Sequence, residues 1–365
     1  MRELWLEGKK YLFTFKMALL ILVLFFLNIM KLFYFNYYDG MMTDRKTIRS
    51  DKYLEQYRVQ YEGKMTETKA KKLITQADSY EKFLISGGGK ENKQEHAAYL
   101  LRDSVQRQYN YHLTIGQLLK KIKHVRKVYE RKHNTYEVKK CNRMITCYEN
   151  RYLQNYYDCQ DFKRLLEYNF STCLLLIAGL FVSFTFYYQE KMGGTYPMIK
   201  VSGKNQKRIM RNKMLCSILF LLFIAILLYA SDVAVYAKFL HLRGWLQPVY
   251  AIEGYEYNVS GHSILFYYMM QRLLCVLLCV VTTWIAAIAA DAIWYGKYTV
   301  VLTVVLFAAA IYFGDFIYVP DRYFANYEWI RIQNVLVHSY EIYLFLIFIC
   351  SVITGMRMLK RGNKC

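Results

Sequence analysis

Few residues in this chain are spaced for covalent chemistry; those that stand out are charges set among apolar neighbours. Asp232, Arg272, Asp291 and Asp315 each interrupt or border a long hydrophobic run. A charge within a bilayer is costly unless it is paired or faces a polar path, so each is a candidate for an intramembrane ion pair or a substrate route. A second group is Cys141, Cys147 and Cys159, three thiols in a long charged segment. In a disulfide-permissive compartment they suit one disulfide with one thiol left over, the pairing remaining open. A metal centre is disfavoured, because no paired Cys-x-x-Cys and no nearby His completes a ligand set. Cys173, Cys216, Cys275, Cys279 and Cys350 lie in or beside apolar runs and read as small packing residues. His241 and His262 stand alone, and no His, Asp or Ser cluster has catalytic spacing, which disfavours an enzyme.

The elements that must hold these residues are apolar stretches of spanning length. The first runs from Met17 to Phe35, with Lys31 near its far end, where a long side chain reaches the headgroups. Five more begin near Phe170, Met214, Leu273, Tyr298 and Tyr340. The expected fold class is therefore an all-α integral membrane protein with six transmembrane helices. No small-residue cleavage site follows the first stretch, so a removable leader is not expected. Lys and Arg in the short segments set the orientation. Arg2, Lys9, Lys10 and Lys16 precede the first span; Lys191, Lys200, Lys204, Lys207, Arg208, Arg211 and Lys213 lie between the second and third; Arg357, Lys360, Arg361 and Lys364 close the chain. These place both termini in the cytoplasm and residues 36–168 outside, with shorter outer loops around His241 to His262 and Asp321 to His338. Asp232, Arg272 and Asp315 then fall near the outer ends of their spans at similar depth, which suits a salt bridge. Asp291 falls nearer the inner end of the fourth.

Segment 36–168 reads as a helical domain of folded-back hairpins. It lacks Pro, and its apolar residues recur at three- and four-residue spacing in Tyr53 to Ala77 and Tyr99 to Tyr129. Ser86, Gly87, Gly88 and Gly89 mark a loop between two helices, and Thr66 is placed to cap a helix continuing through Lys69 to Ala77. The glycine triplet and Lys90 lack the Walker spacing and its Ser or Thr. The formal charge of +21 is shared between the two sides of the membrane. Outside, the basic excess suits anionic headgroups, an acidic wall polymer or an acidic peptide. No nucleic-acid recognition motif accompanies the charge.

The cytoplasmic loop 189–213 carries the most specific pattern. Glu190 ends a helix at the membrane surface, Gly193 and Gly194 permit a sharp turn, and Pro197 can open a short helix presenting Met198, Ile199 and Val201. Gly203 and Lys204 return the chain toward Lys213 and the third span. Such a helix lies along the membrane surface and docks into a partner's groove.

An acidic span end, a Gly, a short apolar helix, a Gly-basic pair and a Lys at the next span resemble the permeases of ABC-2-type transporters. The matching positions are Glu190, Gly194, Met198, Ile199, Gly203, Lys204 and Lys213. Lys204 stands where the family usually has Arg, which keeps the charge but loses the fork geometry. The wider layout is similar too: an amphipathic N-terminal segment (1–16), one span, a large helical domain, a second span (169–188), the loop, four further spans (214–358) and a short tail (359–365). The resemblance implies a bacterial plasma-membrane exporter built from two permease subunits and two cytoplasmic ATPases, moving a hydrophobic or amphipathic substrate such as a peptide, bacteriocin, drug or lipid. This chain has no nucleotide-binding fingerprint, so it would bind no cofactor itself, and ATP and Mg would sit on the partner ATPase. A non-transporting envelope scaffold or receptor, similar to phage-infection membrane proteins, is the alternative.

Overall fold

The computed structural model describes residues 8–10, 14–42, 52–86, 93–183, 185, 206–240, 242–258, 261–292, 329–332, 335–338, 345–346, 348–350 and 352–357. Helices predominate: α1 (Phe15–Met42), α2 (Lys52–Tyr61), α3 (Glu67–Ser86), α4 (Lys93–Tyr109), α5 (Tyr111–Arg131), α6 (Thr135–Tyr148), α7 (Gln160–Glu167), α8 (Phe170–Ser183), α9 (Gln206–Phe239) and α10 (Ile264–Ala292). Among the described residues, four stretches are long and apolar enough to cross a membrane: Phe15–Tyr34, Gln160–Ser183, Arg208–Phe239 and Ile264–Ile285. A shorter apolar helix, Phe348–Arg357, falls in the last expected span. The fifth expected span lies outside the described residues.

Two pieces of sheet depart from a purely helical reading. β1 (Gly63–Lys64) pairs antiparallel with β2 (Asn155–Tyr156), and β3 (Trp329–Ile332) forms a hairpin with β4 (Val335–His338), Ile330 opposite Val337. The helix boundaries also shift. α9 starts at Gln206 and α10 at Ile264, well before the expected Met214 and Leu273. Arg272 therefore lies eight residues, about 12 Å, inside its helix rather than at the start. Burial of Tyr267, Tyr268 and Gln271 in the preceding turns makes that extension possible.

α1, α8, α9 and α10 share one core. Leu24 of α1, Leu174, Leu175 and Ala178 of α8, Leu221, Ile224, Ala225 and Leu228 of α9, and Val276, Cys279 and Val280 of α10 meet there. α8 is the inner member, and Gly179 explains how closely it approaches α10. A Cβ on Gly179 would overlap Thr283 Oγ1, while Ser183 Oγ, one turn on, donates to the Thr283 carbonyl at 2.7 Å. Small residues four apart let helix backbones approach where lipid gives no hydrophobic drive.

The domain between α1 and α8 has two lobes. In the first, α2 buries Leu54, Tyr57 and Tyr61, α3 buries Ala70, Leu73 and Ala77, and α4 buries Ala97, Ala98, Leu101 and Val105, each at helical spacing. Thr66 caps α3 as its position suggests, Oγ1 accepting from the Lys69 amide at 3.4 Å; the expected loop at Gly87, Gly88 and Gly89 lies outside the described residues. Each expected long run is split: Tyr53 to Ala77 by the β1 turn, where Gly63 has φ +93, and Tyr99 to Tyr129 at Asn110. The second lobe is the α5–α6 hairpin, zipped by Ile115, Ile122, Cys141 and Ile145. Its turn places His133 at φ 54, and the Asn134 side chain caps α6 by accepting from the Glu137 amide at 3.2 Å.

Residues 242–258, between α9 and α10, pack on this domain. Tyr111 stacks on Tyr250 at 5.0 Å, the Tyr148 hydroxyl donates to the Tyr257 carbonyl at 2.7 Å, and Arg107 pairs with Glu253 at 3.0 Å.

Candidate functional site

A cluster of buried polar residues lies at the domain-side end of the bundle. Asp232 of α9 has no solvent exposure. Its Oδ1 accepts from Asn28 Nδ2 of α1 at 2.7 Å, and its Oδ2 accepts from the Ser171 hydroxyl of α8. The Asn28 amide also donates to Ser231 Oγ at 3.0 Å, and its oxygen accepts from the Tyr168 hydroxyl at 3.1 Å. Every oxygen of the carboxylate thus meets a donor, and three spanning helices are tied at one point. Hydrogen bonds to a charged acceptor are among the stronger ones, and in low dielectric their loss would strand the charge.

Arg272 of α10 forms the second half of the cluster and is 4% exposed. Its guanidinium donates to the carbonyl of Leu165 at 2.8 Å and to Asn169 Oδ1 at 3.3 Å, while Gln271 Nε2 donates to the Leu166 carbonyl at 3.0 Å. Leu165 and Leu166 stand in the last turn of α7, where carbonyls lack helical partners and the dipole favours a cation. The rings of Tyr268 and Tyr229 lie 5.0 and 5.3 Å from the guanidinium carbon. The expected salt bridge between Asp232 and Arg272 is not made. Each charge meets neutral groups instead: the acid two side-chain donors, the base a helix end, the Asn169 side chain and two aromatic faces.

α7 is the mechanical link. It buries Phe162, Leu165 and Leu166 against Leu32 of α1, Tyr236 and Leu240 of α9, and Val249 and Ile252 of the loop. Ahead of it, Asp158 is buried and pairs with Arg58 of α2 at 3.0 Å. Burial alone would lower the Arg58 pKa, but Asp158 and Asp161 outweigh it and raise it. The Ser104 and Tyr156 hydroxyls share a bond of 2.6 Å beside this pair. Polar contacts therefore tie α7 to the bundle at its C-terminal end and, through Asp158 just ahead of it, to the first lobe.

The remaining candidates divide by position. Lys213 lies in α9 and is 4% exposed, at the bundle end away from the domain. Asp291 is the penultimate residue of α10. Glu190, Gly194, Met198, Ile199, Gly203, Lys204 and Asp315 lie outside the described residues. Cys141, Cys147 and Cys159 are free thiols. Cys141 and Cys147 are six residues apart on α6, about 9 Å of helix rise, beyond the reach of one disulfide. Cys159 sits in the α7 core instead. Burial raises the pKa of all three thiols. Among the described residues no group of His, Cys, Asp and Glu is arranged to hold a metal ion.

Asn28, Tyr168, Asn169, Ser171, Ser231 and Gln271 also belong to the cluster, though none stood out in the sequence. Asn28 was legible as an amide in an otherwise apolar run; the others pass for ordinary span-border residues. No protein-family model, curated protein or solved structure matches the chain.

Proposed function

We propose that this chain is the transmembrane permease subunit of an ATP-driven exporter of the ABC-2 kind, in a bacterial plasma membrane, with both termini in the cytoplasm and the helical domain outside. ATP and Mg belong to a separate ATPase, and a second permease subunit completes the pathway for a hydrophobic or amphipathic substrate. The observation that carries this reading is the loop pattern from Glu190 to Lys213, joined to a Lys213 that is buried in α9 instead of reaching for the headgroups. A lysine held there would anchor the end of the coupling loop to the bundle, so that a push on Met198 and Ile199 tilts α9. The domain-side cluster supports a corresponding output: α1, α8 and α9 are fixed to one another through Asp232, and α10 to α7 through Arg272. A tilt of the bundle would move the domain with it.

The same tied end favours a second reading, an envelope receptor or scaffold in which a stiff stalk presents the domain. Purification from native membranes in mild detergent separates the two. A stoichiometric Walker-motif ATPase, lost when Met198→Asp and Ile199→Asp are combined, is expected for the permease. Absence of any ATPase across several mild detergents would leave the receptor.

A further inference from the structure

The α5–α6 hairpin carries its charge differently from every neighbouring element. Residues 111–149 contain ten Lys and Arg against three Glu. Lys123 pairs with Glu149 at 3.5 Å and Arg126 with Glu130 at 3.2 Å within it. Lys120, Lys121, Lys127, Arg131, Lys132 and Lys139 are exposed, and their side chains meet no carboxylate among the described residues. Packing does not require them, since the hairpin is closed by Ile115, Ile122, Cys141, Ile145 and Tyr148 on the opposite faces. So concentrated a charge repels itself and opposes folding unless something offsets it.

We propose that this hairpin is a docking site for a linear anionic polymer whose repeating charge is phosphate. Lys120, Lys123, Lys127 and Arg131 fall on one face of α5 at steps of about 5 to 6 Å, a ladder of about 16 Å. A flexible chain of phosphates can follow such a row, releasing counterions at each contact. The composition disfavours the other anionic occupants. Protein interfaces are anchored by Trp, Tyr and Arg and are poor in Lys, whereas the large apolar residues exposed on this hairpin are only Leu113, Val125 and Val128. A helix lying in a lipid surface needs Trp, Phe or Leu along one face with cations on the other; here cations project from both helices.

The test uses the full-length protein in phosphatidylcholine nanodiscs and fluorescently labelled inorganic polyphosphate, read by anisotropy over a salt series. Neutralising Lys120→Gln, Lys127→Gln, Arg131→Gln, Lys132→Gln and Lys139→Gln together should weaken binding at least about tenfold and flatten the log–log salt slope by about 3. Neutralising Lys64→Gln, Lys69→Gln, Lys72→Gln and Lys82→Gln, on the first lobe, should change it less than about twofold, both variants keeping the parent melting profile. No binding by the parent protein, or equal losses in the two variants, overturns the proposal. Loss of polyphosphate binding when phosphatidylglycerol is added to the discs would make lipid the occupant and overturn it equally. None of these readouts depends on an ATPase.

Discussion

Charge does opposite work in the polar cluster of the bundle and in the α5–α6 hairpin. Asp232 and Arg272 are buried, and the fold supplies their partners: Asn28 and Ser171 for the acid, the α7 carbonyls for the base. On the hairpin Lys120, Lys121, Lys127, Arg131, Lys132 and Lys139 stand in solvent and meet no carboxylate among the described residues. Buried charge that meets partners within the molecule ties α1, α8 and α9 together and α10 to α7. Exposed charge left without a partner remains available to something outside the molecule. The first should dominate stability and hardly sense salt; the second should do the reverse.

The comparison breaks most easily at Asp232. Asp232→Ala strands the Asn28 amide and the Ser171 hydroxyl and should lower stability by about 3 to 5 kcal/mol, read as reversible unfolding in mild detergent. A loss below about 1 kcal/mol would mean that the carboxylate is solvated after all. Next is Gly179→Val, which must force α8 away from Thr283 and should cost about 1 to 3 kcal/mol by the same measurement. Thr66→Ala removes the α3 cap and should cost about 1 kcal/mol. Single Lys→Gln changes on the hairpin, such as Lys127→Gln, should stay within about 0.5 kcal/mol of the parent. Kinetics of thiol labelling sharpen the picture further. Burial raises the Cys147 pKa, so little thiolate exists at neutral pH and labelling of this half-buried thiol should be slow and should accelerate as pH rises. Cys141 and Cys159, fully buried, should label only on unfolding.

How far the sequence was legible follows the same division. Apolar runs and helical spacing marked α1, α8, α9 and α10 and the hairpins of the domain, because burial of one face or of all faces leaves a periodic record. The Thr66 cap was readable because a helix start demands a side-chain acceptor of that kind. Boundaries were not: α10 begins at Ile264 because Arg272 finds the carbonyls of α7, a segment more than a hundred residues away in sequence. Partners misled for the same reason. Asp232 and Arg272 invite pairing when only charges are counted, yet Asn28 and Ser171 are nearer to the acid than any cation, and nothing local to either residue announces that. The pairing of β1 with β2, from Gly63 to Tyr156, is likewise set by how the lobes close, not by any pattern in two residues.

A double-mutant cycle between Asn28→Ala and Asp232→Ala, read as unfolding free energy in mild detergent, tests most directly whether the buried charges are held by the fold. A coupling energy of about 1.5 to 3 kcal/mol, unchanged between low and high salt, is the expected result. Coupling near zero, or coupling that disappears in high salt, would show that Asp232 is not locked to α1 and would contradict the account of the bundle as tied at its domain-side end.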